Sequence, residues 1–216
     1  MVVVKPYLTF SDKMLQKLYK NILVKKILKI CAKNKLNPND SSIMDMGSGH
    51  GNISLGLTYY FKKVIGIEPS VSMLEQTELN KNRLKKLQPD DFNEDKITFI
   101  QNNFYKALDI EPVNIIILSN SIHLAELNTV NNVLNNLLNY LVKDGLIIIK
   151  EPWTNTILGT PILNEDNDFR KEKIEKVKNI REEIDTVIEK SNKVKLIKSK
   201  NYEDDKYYII ILKKIV

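Results

Sequence analysis

The chain has 216 residues, of which 43% are hydrophobic and 28% are charged. This length and composition are typical of a single globular domain, and they exclude a wholly disordered or fibrous chain. The lone cysteine, Cys31, excludes an internal disulfide and a cysteine-based zinc site. The formal net charge is +6, but eight lysines and one acid fall within 11–35, so the excess charge is local to that segment.

We expect a cytoplasmic protein that makes no membrane contact. No stretch reaches the ~18 apolar residues of a membrane span. The start of the chain lacks the apolar region of a signal peptide. The scarcity of cysteine also favours a reducing compartment.

The N-terminal segment is predicted to be one helix. Apolar residues recur at helical spacing over 14–31, and lysines occupy the opposite side. The polar run 37–40, which contains Pro38, ends this helix.

A regular alternation of strand and helix patterns follows. Helices are predicted to begin near Asn52 and at Ser70, and a third covers 127–141 before a turn at Asp144 and Gly145. Runs rich in β-branched residues predict buried strands between these helices. The predicted strands are 42–46, 63–67, 97–101, 113–119 and 145–150.

The last part of the chain differs from this alternation. A charged helix is predicted over 166–190, and two strands, 193–198 and 206–212, follow it. The short loop between these strands favours an antiparallel pair. The whole pattern predicts an α/β fold, Rossmann-like and doubly wound. We expect a mostly parallel seven-stranded sheet with an antiparallel C-terminal strand and an N-terminal helical extension.

Three of the seven glycines, Gly47, Gly49 and Gly51, lie together directly after the first predicted strand. Glycines permit positive φ and close approach of a ligand to the backbone, and the following helix start offers free N–H groups. A P-loop needs Gly-Lys-Ser/Thr, which is absent from the sequence. A dinucleotide fingerprint needs a third glycine where Asn52 stands. What remains is the form Asp-x-Gly-x-Gly-x-Gly, which begins at Asp45.

At this motif the chain resembles the class I S-adenosylmethionine-dependent methyltransferases, whose first motif has the same form, and the match runs over 42–54 without a gap. The resemblance makes 41–216 the methyltransferase domain and 1–40 a helical cap that is part of the same domain. It implies S-adenosylmethionine as the cofactor. The loop residues that it assigns to the cofactor are Asp45, Gly47, Ser48, Gly49 and Gly51.

The resemblance extends to the end of the second strand. Glu68 lies 23 residues after Asp45 and precedes Pro69. The family places its ribose-binding acid here, where a carboxylate can accept hydrogen bonds from both ribose hydroxyls. The resemblance therefore implies that Glu68 and Pro69 contact the cofactor. Dinucleotide-binding folds also have an acid at this position, so Glu68 does not distinguish the two kinds of cofactor site. The glycine loop does.

The ends of the third and fourth strands also match. The family commonly has an adenine-binding Asp after the third strand, where this chain has Asn103, with Asn102 as an equal candidate, followed by Phe104. Ser119 ends the fourth strand, and the pattern Ser-x-x-x-His to His123 resembles small-molecule methyltransferases. The motif of enzymes that methylate exocyclic base amines is absent. The resemblance implies cofactor contacts from Asn103, Phe104 and Ser119, although the Phe104 ring also suits simple packing.

Methyl transfer from a sulfonium is a direct displacement, so the enzyme mainly aligns the reactants. A general base is needed only when the acceptor must lose a proton. His123 is the candidate catalytic base or substrate anchor, whereas His50 within the glycine loop suits an incidental role. Glu151 to Trp153 is expected to line the acceptor pocket, and 154–168 is a candidate lid.

The preferred hypothesis is a methyltransferase that acts on a small molecule, without a metal and with its oligomeric state open. The first alternative is an RNA methyltransferase that uses the lysine-rich helix as its electrostatic footprint. The second is a non-catalytic, methyltransferase-like subunit that stabilises a partner. A dehydrogenase is disfavoured because Asn52 breaks its fingerprint.

Overall fold

The computed structural model describes residues 10–126, 128–152, 167–202 and 207–216, except for the side chains of 152 and 167–174. The helices in these ranges are α1 (Asp12–Leu15), α2 (Ile22–Lys33), α3 (Asn52–Leu57), α4 (Val71–Leu87), α5 (Val130–Asn139) and α6 (Asn167–Lys190). The strands are β1 (Ser42–Met46), β2 (Lys63–Glu68), β3 (Ile97–Gln101), β4 (Val113–Ser119), β5 (Leu141–Pro152), β6 (Val194–Tyr202) and β7 (Tyr207–Lys214).

Within the described residues the seven strands form one sheet in the order β3-β2-β1-β4-β5-β7-β6. The pairs β2–β3, β1–β4 and β4–β5 are parallel, whereas β7 is antiparallel to both of its neighbours. The predicted doubly wound α/β fold with an antiparallel C-terminal strand is therefore confirmed. The boundary proposed at residue 40 stays a prediction.

The chain divides into two compact units, which are described separately. The first contains 10–41 and Ser48–Gln101, and the second contains Ser42–Gly47 and the described residues from Asn102 onward. The core of the first unit is built by apolar side chains of α2, α3 and β2, such as Ile27, Leu55 and Ile67, all fully buried.

The predicted single helix over 14–31 is wrong, because the structure has two helices with a short 3-10 turn, Leu18–Lys20, between them. The Asn21 side chain accepts a hydrogen bond from the Leu23 N–H at 2.8 Å, which starts α2 as an N-cap. The Leu18 carbonyl oxygen packs against Gly56, 2.6 Å from where a Cβ would lie. Tertiary packing and a cap thus interrupt a pattern that is continuous in sequence.

In the second unit, α5 packs against β5 and α6, and α6 also packs against β6, with Leu137, Ile180 and Ile184 among the buried side chains. The prediction placed the start of the fifth strand at 145, but β5 begins at Leu141. Leu141 pairs with Val113, and Leu146 then pairs with Ile115 across an irregularity in the register. Asp144 adopts φ 64° in the intervening turn, so a turn signal lies inside the strand instead of before it.

The parallel pairing brings strand ends together within each unit. In the first unit Glu68 pairs with Gln101, and in the second Ser119 pairs with Lys150. Polar side chains that follow parallel strands meet at the carboxyl edge of the sheet, where α/β folds bind ligands. Trp153 and residues 154–166 of the candidate lid lie outside the described residues, whereas its last two residues, Asn167 and Asp168, begin α6.

Candidate active site

The glycine loop between β1 and α3 has left-handed backbone geometry. Gly47, Gly49 and Gly51 have φ of 81°, 54° and 76°. A Cβ on Gly47 would lie 2.5 Å from the Ser121 Cβ, whereas a Cβ on Gly49 would meet nothing within 4 Å. Glycine is therefore required at Gly47 for packing, while the backbone at Gly49 borders open space.

Glu68 at the end of β2 holds this loop. Its side chain is buried, with Oε2 accepting from the Gly49 N–H at 2.9 Å and Oε1 accepting from the Ser70 N–H at 3.0 Å. The Ser48 N–H donates to the Ile67 carbonyl at 2.9 Å. Each carboxylate oxygen can accept a further hydrogen bond. Glu68 thus orders the loop and keeps acceptor capacity for a ligand.

Two fully buried residues of α4 contact the loop carbonyls. The Thr77 hydroxyl lies 2.9 Å from the carbonyl oxygen of Gly49, and the Asn80 amide nitrogen lies 3.3 Å from that of His50. Sequence reasoning missed this role. The one available signal was that Thr77 occupies the apolar side of the predicted helix, where a hydroxyl needs a partner.

His50 projects from the loop toward the N-terminal segment. Its ring makes an edge contact with Phe10, with 6.3 Å between the ring centroids. Burial lowers the pKa of His50 from its ordinary value, and the charge of Glu68 partly opposes this effect. His50 is therefore neutral at pH 7.

Asp45 and Ser121 lie in the second unit. Asp45 is buried in β1 opposite Ile117 of β4. The buried Ser121 Oγ has no hydrogen-bond partner within the described part of the chain, and the same holds for Ser48 Oγ in the first unit. Buried hydroxyls without a partner are costly, which is a sign of groups reserved for a ligand.

The remaining predicted cofactor residues occupy strand ends. Pro69 is exposed after β2, and Ser119 is half-buried at the end of β4. Asn103 Oδ1 accepts from the N–H groups of Tyr105 at 3.0 Å and Lys106 at 3.1 Å, so it also stabilises its own loop. The ring of Phe104 packs edge-on against that of Tyr105. Contacts from these four residues to the cofactor stay predictions.

His123 pairs with Glu151 in the second unit. His123 Nδ1 lies 2.6 Å from Glu151 Oε2. Oε1 of the same carboxylate accepts from the backbone N–H groups of Ser121 at 2.7 Å and Ile122 at 2.9 Å. The Glu151 side chain is fully buried, whereas that of His123 is 11% exposed. The sequence places Glu151 near the acceptor but does not indicate its pairing with His123, because His123 follows β4 and Glu151 lies near the end of β5.

Tyr208 of β7 stands opposite Glu151 across the antiparallel pair. Burial raises the pKa of Tyr208, and the charge of Glu151 raises it further. The guanidinium carbon of Arg181 lies 4.7 Å from the centre of the Tyr208 ring. Tyr208 therefore stays protonated and covers this side of Glu151 with an aromatic side chain.

A groove of about 550 Å³ lies in the first unit beside the glycine loop. Asn52, which directly follows the loop, lines it, and Asn52 Oδ1 is buried without a hydrogen-bond partner within the described ranges. Phe10 and Ile22 contribute apolar surface, and Lys13, Lys17 and Lys20 contribute positive charge. The groove thus combines apolar and cationic side chains next to the loop.

Among the residues that the structure describes, no cluster of three or more His, Cys, Asp or Glu side chains is arranged to hold a metal ion. Likewise, none of the helices in these ranges is long and apolar enough to cross a membrane.

Comparison with known proteins gives one family and a consistent set of structures. The family model "Methyltransferase domain" matches residues 37–214. A protein from Methanococcus maripaludis assigned to the S-adenosyl-L-methionine-dependent methyltransferases has a TM-score of 0.67 at 16% identity, with 95% of this chain and 90% of that chain covered. No curated protein matches the sequence.

Two other structures have different substrates in their names. Magnesium protoporphyrin IX methyltransferase from Synechocystis with bound S-adenosylhomocysteine has a TM-score of 0.59 at 12% identity and covers 97% of this chain and 89% of its own. An rRNA methylase from Streptococcus thermophilus has a TM-score of 0.52 at 17% identity and covers 85% of this chain and 92% of its own. At these low identities, the structural similarity shows a shared fold and does not identify the substrate.

The sheet order and glycine loop define a class I methyltransferase, and its cofactor is S-adenosylmethionine. The chain belongs to the methyltransferase-domain family, whose model covers most of its length. The residues present fit the cofactor. Glu68 keeps acceptor capacity, Gly49 borders open space, and Ser48 Oγ is a buried group without a partner within the described residues.

Proposed function

We propose that this S-adenosylmethionine-dependent methyltransferase acts on a small organic molecule that carries negative charge. The observation that carries the proposal is the groove of about 550 Å³ that begins at Asn52, directly after the glycine loop. Pockets of about 300–1,000 Å³ are the usual size for small-molecule ligands. The apolar side chains of Phe10 and Ile22 suit a carbon skeleton, and the lysines suit a carboxylate or phosphate.

The cofactor supplies a methyl group bonded to a positively charged sulfur. Glu68 accepts hydrogen bonds from the ribose hydroxyls with the lone pairs that Gly49 and Ser70 leave free. Ser48 Oγ offers a further polar contact. The other residues proposed to contact the cofactor are Asp45, Gly47, Gly49, Gly51, Pro69, Asn103, Phe104 and Ser119.

His123 is proposed as the catalytic base. Its ring is nearly buried, and its Nδ1 atom is engaged by Glu151, so Nε2 is the nitrogen left to accept a proton from the acceptor. Proton removal raises the nucleophilicity of the attacking atom at the moment of transfer.

The first test is calorimetric titration of the folded protein with S-adenosylmethionine and S-adenosylhomocysteine. Binding in the micromolar range is expected, and absence of binding by a folded sample would contradict the proposed cofactor site. The second test supplies methyl-labelled cofactor with two separate cell extracts, one limited to molecules below about 1 kDa and one containing only RNA. We expect label in the small-molecule extract, and loss of that transfer in a variant with Lys13, Lys17 and Lys20 changed to Gln.

RNA is the second candidate acceptor, because the lysine-rich segment 11–35 and the rRNA methylase in the comparison both favour it. It predicts label in the RNA extract and RNA binding that weakens steeply with salt. Neutralising Lys25, Lys26 and Lys29, which lie on α2 outside the groove, would then reduce that binding. Label confined to RNA would replace the small-molecule proposal.

A further inference from the structure

The Glu151 carboxylate is held in one orientation by its surroundings. Oε1 accepts from two backbone N–H groups, those of Ser121 and Ile122. Backbone N–H groups can only donate, so the atom that faces them must be an acceptor. Oε2 is then directed at His123 Nδ1, 2.6 Å away. The side chain is fully buried, so water does not compete for these bonds.

This orientation decides which nitrogen of His123 carries the proton. A carboxylate accepts hydrogen bonds and donates none, so Nδ1 must be the protonated nitrogen of the neutral ring. The lone pair is consequently on Nε2, at the opposite end of the imidazole. A histidine alone in water favours the other tautomer, so the neighbouring carboxylate changes the chemistry of the ring.

We propose that Glu151 is a positioning residue that fixes His123 as the Nδ1–H tautomer, and that the methyl acceptor is a hydroxyl or a protonated nitrogen that gives its proton to Nε2. This inference rests on the proposed function for its acceptor class. The attacking atom bonds to the methyl carbon while the carbon–sulfur bond breaks and leaves its electron pair on sulfur. The proton of the attacking atom passes to Nε2, and the resulting imidazolium is stabilised by the Glu151 carboxylate.

The side chains behind Glu151 suit this role. Tyr208, opposite Glu151 in the β5–β7 pair, is 2% exposed and covers the carboxylate on the side of β7. Arg181 lies over the Tyr208 ring and pairs with Asp185 at 2.9 Å. The Arg181 charge is thus shared with Asp185, and His123 bonds directly to the Glu151 carboxylate.

The test reads the tautomer directly, without an acceptor. The chain has two histidines, so long-range proton–nitrogen spectra of protein labelled at histidine contain two rings, and a His50→Gln variant identifies the ring of His123. At a pH where the ring is neutral, we expect Nδ1 to carry the proton in the native protein. A native ring protonated on Nε2 would overturn the proposal, and this result needs no substitution at His123 or Glu151.

Glu151→Gln makes the test sharper. The two backbone donors keep the amide oxygen, so the amide nitrogen must face Nδ1, which then has to accept a hydrogen bond. The proton is expected to move to Nε2, and the neutral ring loses its base there. Glu183→Gln is the matched control, because Glu183 Oε1 also accepts a backbone N–H, that of Asn128 at 2.7 Å. The control should leave the His123 tautomer unchanged, and an unchanged tautomer in Glu151→Gln would contradict the inference.

Activity on the labelled extract gives the second readout. Glu151→Gln is expected to lower kcat by on the order of 100-fold or more while leaving the KM for S-adenosylmethionine within about twofold. The product should be methylated on oxygen or nitrogen, and a methyl group on carbon would overturn the acceptor class. Calorimetric binding of the cofactor distinguishes a failure of the proposed function from a failure of the inference about Glu151. If the cofactor does not bind, the proposed function fails, whereas the tautomer still reports on Glu151.

Discussion

Individual side chains in this protein act through the backbone as much as through each other. Glu68 and Glu151 are both buried, and each accepts two backbone N–H groups. The two carboxylates differ in the hydrogen-bonding capacity that they have left. Glu68 keeps lone pairs for a ligand, whereas the second oxygen of Glu151 is committed to His123. We propose that the same residue type serves cofactor binding at Glu68 and proton chemistry at Glu151.

Glu68→Ala is expected to weaken binding of S-adenosylmethionine by on the order of tenfold or more, because both the ribose contacts and the bond to the Gly49 N–H are lost. Calorimetric titration measures the change. Glu75→Ala removes an exposed glutamate of α4 and serves as the control, which should bind normally. Unchanged affinity in Glu68→Ala would remove Glu68 from the site.

His50 gives a prediction about pH. Its pKa in the folded protein lies below the ordinary value of 6.5, so the folded state favours the neutral ring. Above that pH the ring is neutral in both states. Below it the unfolded chain takes up a proton more readily, and the free energy of unfolding falls. Urea unfolding at pH 7.5 and 5.5 should show a smaller loss for His50→Gln than for the native protein. Equal losses would show that His50 does not contribute.

At the scale of elements, the glycine loop depends on packing from both of its ends. In the second unit the loop begins against Ser121, and in the first it is held by Thr77 and Asn80 of α4. The sequence motif identifies the loop and its glycines. The partners that hold its carbonyls come from a helix more than 25 residues later, and no local pattern indicates them.

Alanine substitutions at Gly47 and Gly49 distinguish the contribution of a glycine to packing from its contribution to the approach of a ligand. Gly47→Ala is expected to destabilise the protein by about 2 kcal/mol or more, because its Cβ would collide with Ser121 at a left-handed φ. Gly49→Ala has no collision and should cost only about 1 kcal/mol for the backbone geometry. It should nevertheless weaken cofactor binding, because its methyl group enters open space at the loop. Urea unfolding and calorimetry measure the two effects, and equal destabilisation of the two variants would be inconsistent with this division.

For the molecule as a whole, the reactivity of the Cys31 thiol measures how readily the folded protein opens around this residue. Its side chain is fully buried in the first unit, and burial raises its pKa from 9.0 to about 12. The thiolate is the reactive form, so the folded protein presents almost none of it at pH 8. The preference for the neutral thiol stabilises the fold below pH 9.0 and is lost as the pH rises toward 12.

An aromatic disulfide reagent at pH 8 is therefore expected to label the native protein on the order of 100-fold or more slowly than free cysteine. Full labelling should follow in guanidinium chloride. The chain has one cysteine, so all of the signal reports on that site. Native-state labelling as fast as that of a free thiol would show that the region around α2 opens readily.

The fold class could be predicted from the sequence, and the type of cofactor from the resemblance of its glycine motif to a known family. Strand and helix periodicities depend on residues that are neighbours in the chain, and the motif from Asp45 to Gly51 is also local. Both can therefore be recognised without a structure. The same pattern predicted α1 and α2 as one helix. Hydrophobic spacing does not report the polar cap at Asn21, and the approach of Leu18 to Gly56 is a tertiary contact.

Which polar groups lie together depends on the three-dimensional fold. His123 and Glu151 are 28 residues apart, and they meet because β4 and β5 are parallel neighbours whose carboxyl ends coincide. Tyr208 stands opposite Glu151 because β7 is antiparallel to β5. Strand order and register fix these pairings, and both result from burial of whole faces of the sheet. The sequence thus supplied a lone candidate base, and the fold supplied the carboxylate that selects its tautomer.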